Sequence, residues 1–128
     1  VEIAYDPDII SYEQLVEIYW QQTDPTDAFG QFQDRGSQYR PIILVTTAEQ
    51  KIMAEKAKQA VIGSARYKKP IITEIREADT FWPAENYHQS FYQKQPKRYK
   101  AIKRERQIFL DYQHLKGKIR VLFRETKE

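Results

Sequence analysis

Hydrophobic and polar positions alternate along three stretches of the chain, at residues 1–5, 71–76 and 118–124. This period of two predicts β-strands that bury one face. A fourth stretch, Pro41–Thr46, is mostly apolar and rich in β-branched residues, which predicts a buried strand. The polar side of the stretch at 118–124 is mostly basic, as in an edge strand that is protected from pairing by charge.

A helical period marks four other segments, at residues 12–22, 48–62, 87–95 and 97–114. The first two open with the capping-box sequences Ser-Tyr-Glu-Gln and Thr-Ala-Glu-Gln, whose side chains satisfy free backbone donors at a helix start. Pro96 separates the last two segments, because proline interrupts a continuing helix. Strands and helices are therefore mixed along the chain.

The segment from Thr23 to Arg40 has no clear period. It contains two glycines, one proline, three aspartates and three aromatic residues. Unstructured connections of this length in compact domains are usually either functional or disordered. The three aromatic residues favour a functional loop.

The composition excludes several kinds of site. The 128 residues contain no cysteine, so they provide no disulfide, no cysteine zinc site and no catalytic thiol. Two histidines, His88 and His114, are too few for a three-histidine metal site, and the four glycines form no phosphate-binding motif. The longest apolar run, Ile42–Val45, is too short to span a membrane. We therefore expect no bound metal or cofactor and no membrane association.

Charge is distributed unevenly along the chain. Residues 93–128 carry 12 Lys and Arg against 4 Asp and Glu, whereas residues 1–92 carry a net charge of −5. A basic tail of this kind either contacts phosphates, as in nucleic-acid binding, or is a solvated helix face. We favour the solvated face over a nucleic-acid role.

Three stretches carry distinctive short motifs. They are Tyr5-Asp6-Pro7 with Ile10–Leu15, Trp20 and Asp24-Pro25-Thr26, then Gln33-Asp34-Arg35-Gly36-Ser37-Gln38-Tyr39-Arg40, and Thr73-Glu74-Ile75 with Phe81–Gln89. In this order and at this spacing they resemble the A-type peptide methionine sulfoxide reductases, whose second motif is Gly-Asn-Asp-x-Gly-Thr-Gln-Tyr-Arg. This sequence has Phe32-Gln33 where the family usually has Gly-Asn.

The resemblance implies an α+β fold, the ferredoxin-like α/β sandwich of the reductase family. Residues 1–96 would form the second half of the family domain, so that the fold is incomplete at its N-terminal half. The Gly-Cys-Phe-Trp segment with the nucleophilic cysteine is expected upstream of residue 1. Residues 97–128 would be a basic C-terminal extension, a helix plus a strand docked on the domain. Without the upstream segment, a sheet edge at residues 1–5 would be uncovered, which favours self-association.

The resemblance also implies a function. Members reduce methionine-(S)-sulfoxide in peptides and proteins, use thioredoxin or another thiol as reductant, bind no cofactor, and repair oxidative damage in the cytoplasm. Tyr39 would donate a hydrogen bond to the sulfoxide oxygen, and Asp34 would orient the site. Gln38, Trp82, Glu85 and His88 are further candidates for substrate contacts. Since the nucleophilic cysteine is absent, these 128 residues alone are expected to be inactive.

Other interpretations remain for the same residues. The chain could be a non-catalytic module that binds methionine or methionine sulfoxide peptides. Trp20 is expected to pack in a core. For Trp82 core packing is favoured over a substrate contact. Glu85 and His88 share a helical face if the segment is helical, and a structural role is favoured for His88.

Overall fold

The computed structural model describes the chain from residue 1 to residue 127, and its side chains as far as residue 122. Along the chain the elements are α1 (Tyr12–Gln22), β1 (Gly30–Gln31), β2 (Asp34–Arg35), a 3-10 turn (Ser37–Tyr39), β3 (Ile42–Val45), α2 (Ala48–Gly63), β4 (Glu74–Glu77), α3 (Phe91–Lys94) and α4 (Pro96–Lys127). The strands form two separate two-stranded sheets, β1 with β2 and β3 with β4.

The core lies where α1 and α2 pack against the β3–β4 sheet. These two strands are parallel, with Ile42 opposite Glu74 and Val45 opposite Glu77, and α2 makes the crossover that a parallel pair requires. The buried core residues are Val16, Trp20, Ile43, Val45 and Ala54. Trp20 is therefore in the core, as predicted.

Strand β3 buries one face, not two. Ile43 and Val45 point into the core, while Leu44 between them is 53% exposed. The other partner, β4, begins at Glu74, later than the alternating stretch at 71–76 predicted.

Local capping chemistry explains where the first two helices begin. The Ser11 hydroxyl accepts from the Gln14 amide at 3.1 Å, and the Gln14 side chain accepts from the Ser11 amide at 2.9 Å, which completes the predicted capping box. Thr47 caps α2 in the same way, but the Gln50 side chain accepts from Thr46 instead. The predicted positions of both helices are confirmed.

Two predicted strands are absent from the described structure. Residues 1–6 have no secondary structure, and Val1 and Ile3 are exposed. No described strand lies beside them, and an extended segment without a partner forms no ladder. The uncovered sheet edge expected at residues 1–5 is thus not formed by these residues.

The stretch at 118–124 is helical, because α4 continues through Gly117 to Lys127. Gly117 does not end the helix but allows close packing. A Cβ at this position would lie 3.1 Å from Arg66 Cβ. The extension is therefore one long helix, where the sequence predicted a helix plus a strand.

The helix predicted at residues 87–95 is also mostly absent. Residues 86–90 form turns, Ser90 has a φ of +52°, and α3 is restricted to Phe91–Lys94. Pro96 then opens α4, a position where its missing N–H costs nothing. Within the described residues, no helix is both long and apolar enough to cross a membrane.

Candidate functional site

The aperiodic segment before β3 folds into a tight hairpin. Strands β1 and β2 pair antiparallel, with Gly30 opposite Arg35 and Gln31 opposite Asp34. Gly30 has a φ of +157°, and a Cβ on it would lie 2.3 Å from the Asp34 carbonyl oxygen. Any side chain at residue 30 would push the two strands apart, so this glycine is required for the hairpin.

Polar side chains fix the base of the hairpin. The Gln31 amide group accepts from the Asp24 N–H at 3.0 Å and donates to the Asp24 carbonyl at 2.8 Å. The Asp24 carboxylate in turn accepts from the Thr26 N–H and hydroxyl, at 3.0 and 2.7 Å. Hydrogen bonds among Asp24, Thr26 and Gln31 thus fix the base of the hairpin.

An ion pair between Arg35 and Asp27 also stabilises the hairpin. Arg35 Nη2 donates to Asp27 Oδ1 at 3.0 Å, and Arg35 Nη1 donates to the Phe32 carbonyl at 3.3 Å. The hydrogen bond from Arg35 lowers the pKa of the Asp27 carboxyl below its ordinary value of 3.8. The Arg35 guanidinium therefore joins Asp27, which precedes β1, to Phe32, which follows β1.

This pKa shift predicts an acid-dependent loss of stability. Because the pKa of Asp27 is lowered in the folded state, its contribution is present above pH 3.8 and is lost as the pH falls through the folded pKa. Asp27→Asn is therefore expected to lower the urea midpoint at pH 7 and to have a smaller effect near pH 3. Asp79→Asn, at an exposed carboxylate, is the control. An Asp27→Asn effect that is equal at both pH values would contradict the role of the ion pair.

Asp34, Gln38 and Tyr39 lie on one short segment that follows the hairpin tip. Asp34 is exposed on β2, and Tyr39 ends the 3-10 turn with 44% of its surface exposed. The Gln38 side chain folds over Gly36, whose φ is +134° and where a Cβ would lie 2.5 Å from Gln38 Oε1. The segment therefore presents a carboxylate, an amide and a phenol to solvent.

Arg40 anchors the end of this segment to the core sheet. Its Nη1 donates to the Ser37 carbonyl at 3.0 Å, and its Nε lies 3.4 Å from Glu74 Oε1 on β4. The Tyr39 N–H donates to the Gly36 carbonyl at 3.1 Å. These contacts fix the end of the segment to the 3-10 turn and to β4. A carboxylate, an amide and a phenol held in this way suit hydrogen bonding to a polar ligand.

Trp82 and Glu85 lie in a separate, exposed irregular stretch, and His88 lies in the exposed turn at residues 86–90 that follows it. Glu85 Oε2 is 3.9 Å from His88 Nε2, and the His88 ring is 4.2 Å from that of Tyr87. Glu85 and His88 therefore meet across a turn, not on a helical face as predicted. Trp82 is 81% exposed, so its predicted core packing is wrong.

The two groups of candidates are not joined. Among the described residues, no hydrogen bond, ion pair or ring contact connects Trp82, Glu85 or His88 to Asp34 or Tyr39. The described side chains also contain no cluster of three or more His, Asp or Glu suited to a metal ion.

Sequence reasoning missed a contact between the hairpin tip and α4. Phe32 packs edge-on against Phe109, with ring centroids 5.5 Å apart, and the Arg106 guanidinium carbon lies 5.4 Å from the Phe32 ring centre. Gln33 donates to the Glu105 carboxylate. The available signal was the departure from the family motif at Phe32-Gln33, because both of these residues contact α4.

A β–α–β unit carrying a hairpin with a carboxylate and a phenol defines an α+β protein with a candidate hydrogen-bonding site. The family model described as "Peptide methionine sulfoxide reductase" matches residues 1–116. The chain therefore belongs to the peptide methionine sulfoxide reductase family, as its motifs predicted.

Bacterial relatives agree with this assignment. The chain is 50% identical over 127 residues to "Peptide methionine sulfoxide reductase MsrA 1" of Lactococcus lactis, covering 99% of this chain and 69% of the relative. It is 59% identical over 101 residues to "Peptide methionine sulfoxide reductase MsrA" of Listeria welshimeri, covering 79% of this chain and 57% of the relative.

Solved structures support the α+β fold class. The crystal structure of Mxr1 from Saccharomyces cerevisiae in reduced form is similar with a TM-score of 0.67 and 28% identity, covering 73% of this chain and 50% of Mxr1. Methionine sulfoxide reductase A of Corynebacterium diphtheriae is similar with a TM-score of 0.59 and 27% identity, covering 72% of this chain and 48% of that protein. The chain thus spans about half the length of these solved relatives.

Proposed function

We propose that this protein is a peptide-methionine (S)-S-oxide reductase, which returns oxidised methionine in peptides and proteins to methionine. The family match over residues 1–116 carries the proposal. The names of the relatives in Lactococcus lactis and Listeria welshimeri support it.

The reaction requires a thiolate and a proton source at the sulfoxide. The thiolate attacks the sulfoxide sulfur, the oxygen is protonated and leaves as water, and a second thiol completes a disulfide as methionine is released. Two thiols are thus oxidised for each sulfoxide reduced. The 128 residues contain no cysteine, so they supply neither thiol.

Within this proposal, Tyr39 donates a hydrogen bond from its phenol to the sulfoxide oxygen as negative charge develops there. The Asp34 carboxylate accepts hydrogen bonds and orients the site, directly or through a bound water. Gln38 is proposed as an additional polar contact on the same segment. Trp82, Glu85 and His88 are proposed for substrate contacts only where a peptide is long enough to reach residues 82–88.

Thioredoxin or another dithiol is proposed as the reductant, because the reaction consumes two thiols. A reducing compartment such as the cytoplasm would maintain that supply. Repair of oxidised methionine places the activity in the response to oxidative stress.

The experiment compares two proteins with a methionine-(S)-sulfoxide peptide and dithiothreitol. The first is the 128-residue chain, and the second is a chimera in which whatever part of the Lactococcus lactis relative precedes the matched region is joined before residue 1. We expect no turnover by the first and steady turnover by the chimera. Turnover by the cysteine-free chain would contradict the proposed chemistry. Saturable peptide binding by a folded but inactive chimera would instead favour the non-catalytic binding module.

A further inference from the structure

Helix α4 contacts the hairpin through one small cluster of side chains. Glu105 and Arg106 lie four and three residues before Phe109, so each is a neighbour of Phe109 on the surface of the helix. They meet Phe32 and Gln33, the two residues that connect β1 to β2. We call these five residues the tip cluster.

The cluster combines three kinds of contact. The Phe32 and Phe109 rings meet at 80°, the edge-to-face arrangement that aromatic pairs favour. The Arg106 guanidinium lies over the same Phe32 ring, which is a cation–π contact. The Gln33 amide donates to the Glu105 carboxylate, a charge-assisted hydrogen bond. The helix therefore holds both residues of the tip.

The backbone at the tip needs this support. Phe32 has a φ of +50°, in the left-handed region, which is energetically unfavourable for a residue with a Cβ. A non-glycine residue keeps such a conformation when surrounding contacts determine it. Here those contacts are the Phe32 ring against Phe109 and Arg106. The conformation of the tip therefore depends on α4.

The tip in turn sets the segment that carries the candidate site residues. Asp34 directly follows Gln33, and the pairing of Gln31 with Asp34 fixes its place beside β1. The Phe32 carbonyl accepts from Arg35, so the tip and β2 move together. A shift at Phe32 is thereby transmitted to Asp34 and, through the 3-10 turn, to Tyr39.

We propose that Glu105, Arg106 and Phe109 are positioning residues for the segment Asp34–Tyr39, and that they act through Phe32 and Gln33. Helix α4 thus helps to shape the site, although none of its side chains described up to residue 122 makes a hydrogen bond, ion pair or ring contact with Asp34 or Tyr39. The part of this inference that concerns turnover rests on the proposed function.

Amide hydrogen exchange in the 128-residue chain tests the positioning without any need for activity. Phe109→Ala removes the ring pair with Phe32 and leaves the Arg106 contact in place. It is expected to speed exchange at residues 33–39 up to about tenfold, the factor that one aromatic ring pair sustains. Phe109→Tyr retains the ring and should restore slow exchange. Tyr112→Ala, which removes an exposed ring one turn further along α4, is the matched control.

The same variants in the active chimera test the catalytic consequence. Phe109→Ala is expected to lower kcat/KM about tenfold, mainly through kcat, and Tyr112→Ala to leave it unchanged. The double variant Phe32→Ala with Phe109→Ala should lower kcat/KM no further than the worse single variant. The reason is that both substitutions remove the same contact between the Phe32 and Phe109 rings. Glu105→Ala, at an exposed position, provides a second variant if Phe109→Ala fails to fold.

The outcomes separate this inference from the proposed function. Unchanged exchange at residues 33–39 in Phe109→Ala would overturn the positioning role, whatever the activity. Faster exchange with unchanged kcat/KM would also overturn the positioning role, because the segment Asp34–Tyr39 would then be more mobile without any effect on turnover. A fully active Tyr39→Phe chimera would instead contradict the proposed role of Tyr39 and leave the exchange result standing.

Discussion

Tyr39→Phe is expected to lower the kcat of the active chimera about 100-fold. The substitution removes one hydroxyl and leaves the ring, so the loss measures a single hydrogen-bond donor. Donors aimed at an oxygen that gains negative charge in a transition state are worth about 10²–10³ in kcat. Because 44% of the Tyr39 surface is exposed, the removed hydroxyl is not needed to satisfy a buried core.

Separate measurement of kcat and KM distinguishes this role from a general loss of structure. Tyr112→Phe removes a hydroxyl from an exposed tyrosine on α4 and is expected to leave both constants unchanged. Circular dichroism of both variants checks that the fold is retained. A Tyr39→Phe chimera within about twofold of the parent would rule out Tyr39 as the donor.

Local sequence information was sufficient where the structure depends on neighbours in the chain. The capping box of Ser11 and Gln14 and the end of α1 at Gln22 are determined by residues a few positions apart. The strand at β3, the helix α2 and part of the strand at β4 also followed from short patterns, whereas the parallel pairing of the two strands required the structure. The candidate site residues Asp34 and Tyr39 were predicted from the family resemblance of their motif, and their role stays a prediction. They lie on one short segment because they are close in sequence.

Two other strand predictions, at residues 1–5 and 118–124, failed. Residues 1–5 alternate in polarity, but alternation does not say whether another strand will lie alongside. At 118–124 the alternation competes with helix continuation. The described structure takes the helix, since Leu110 is fully buried and Gly117 packs against Arg66. Glycine acts there as a close-packing residue and not as a stop.

The candidate site shows the same limit. The contact between Gln33 and Glu105 joins residues 72 positions apart, and no local pattern announces it. The unusual Phe32 could be noted from the sequence, but its left-handed backbone and its contact with α4 required the structure. Trp82 was misplaced because an aromatic residue alone does not reveal whether a core lies nearby.

The chain's two tryptophans should respond very differently to truncation. Trp20 is 8% exposed and belongs to the cluster between α1, α2 and the β3–β4 sheet, with its ring 5.7 Å from that of Tyr19. Trp20→Ala is expected to lower the free energy of unfolding by about 3–5 kcal/mol, because it removes a large buried ring and leaves a cavity. Trp82→Ala, at a site 81% exposed, should change it by less than about 0.5 kcal/mol.

Urea unfolding of the 128-residue chain, followed by circular dichroism, measures both effects. Trp20→Phe adds a further comparison. The buried Trp20 Nε1 has no hydrogen-bond partner among the described residues, so losing it removes no bond. The phenylalanine variant should therefore lose much less stability than the alanine variant. Equal losses for Trp20→Ala and Trp82→Ala would show that the core does not lie between α1 and the β3–β4 sheet.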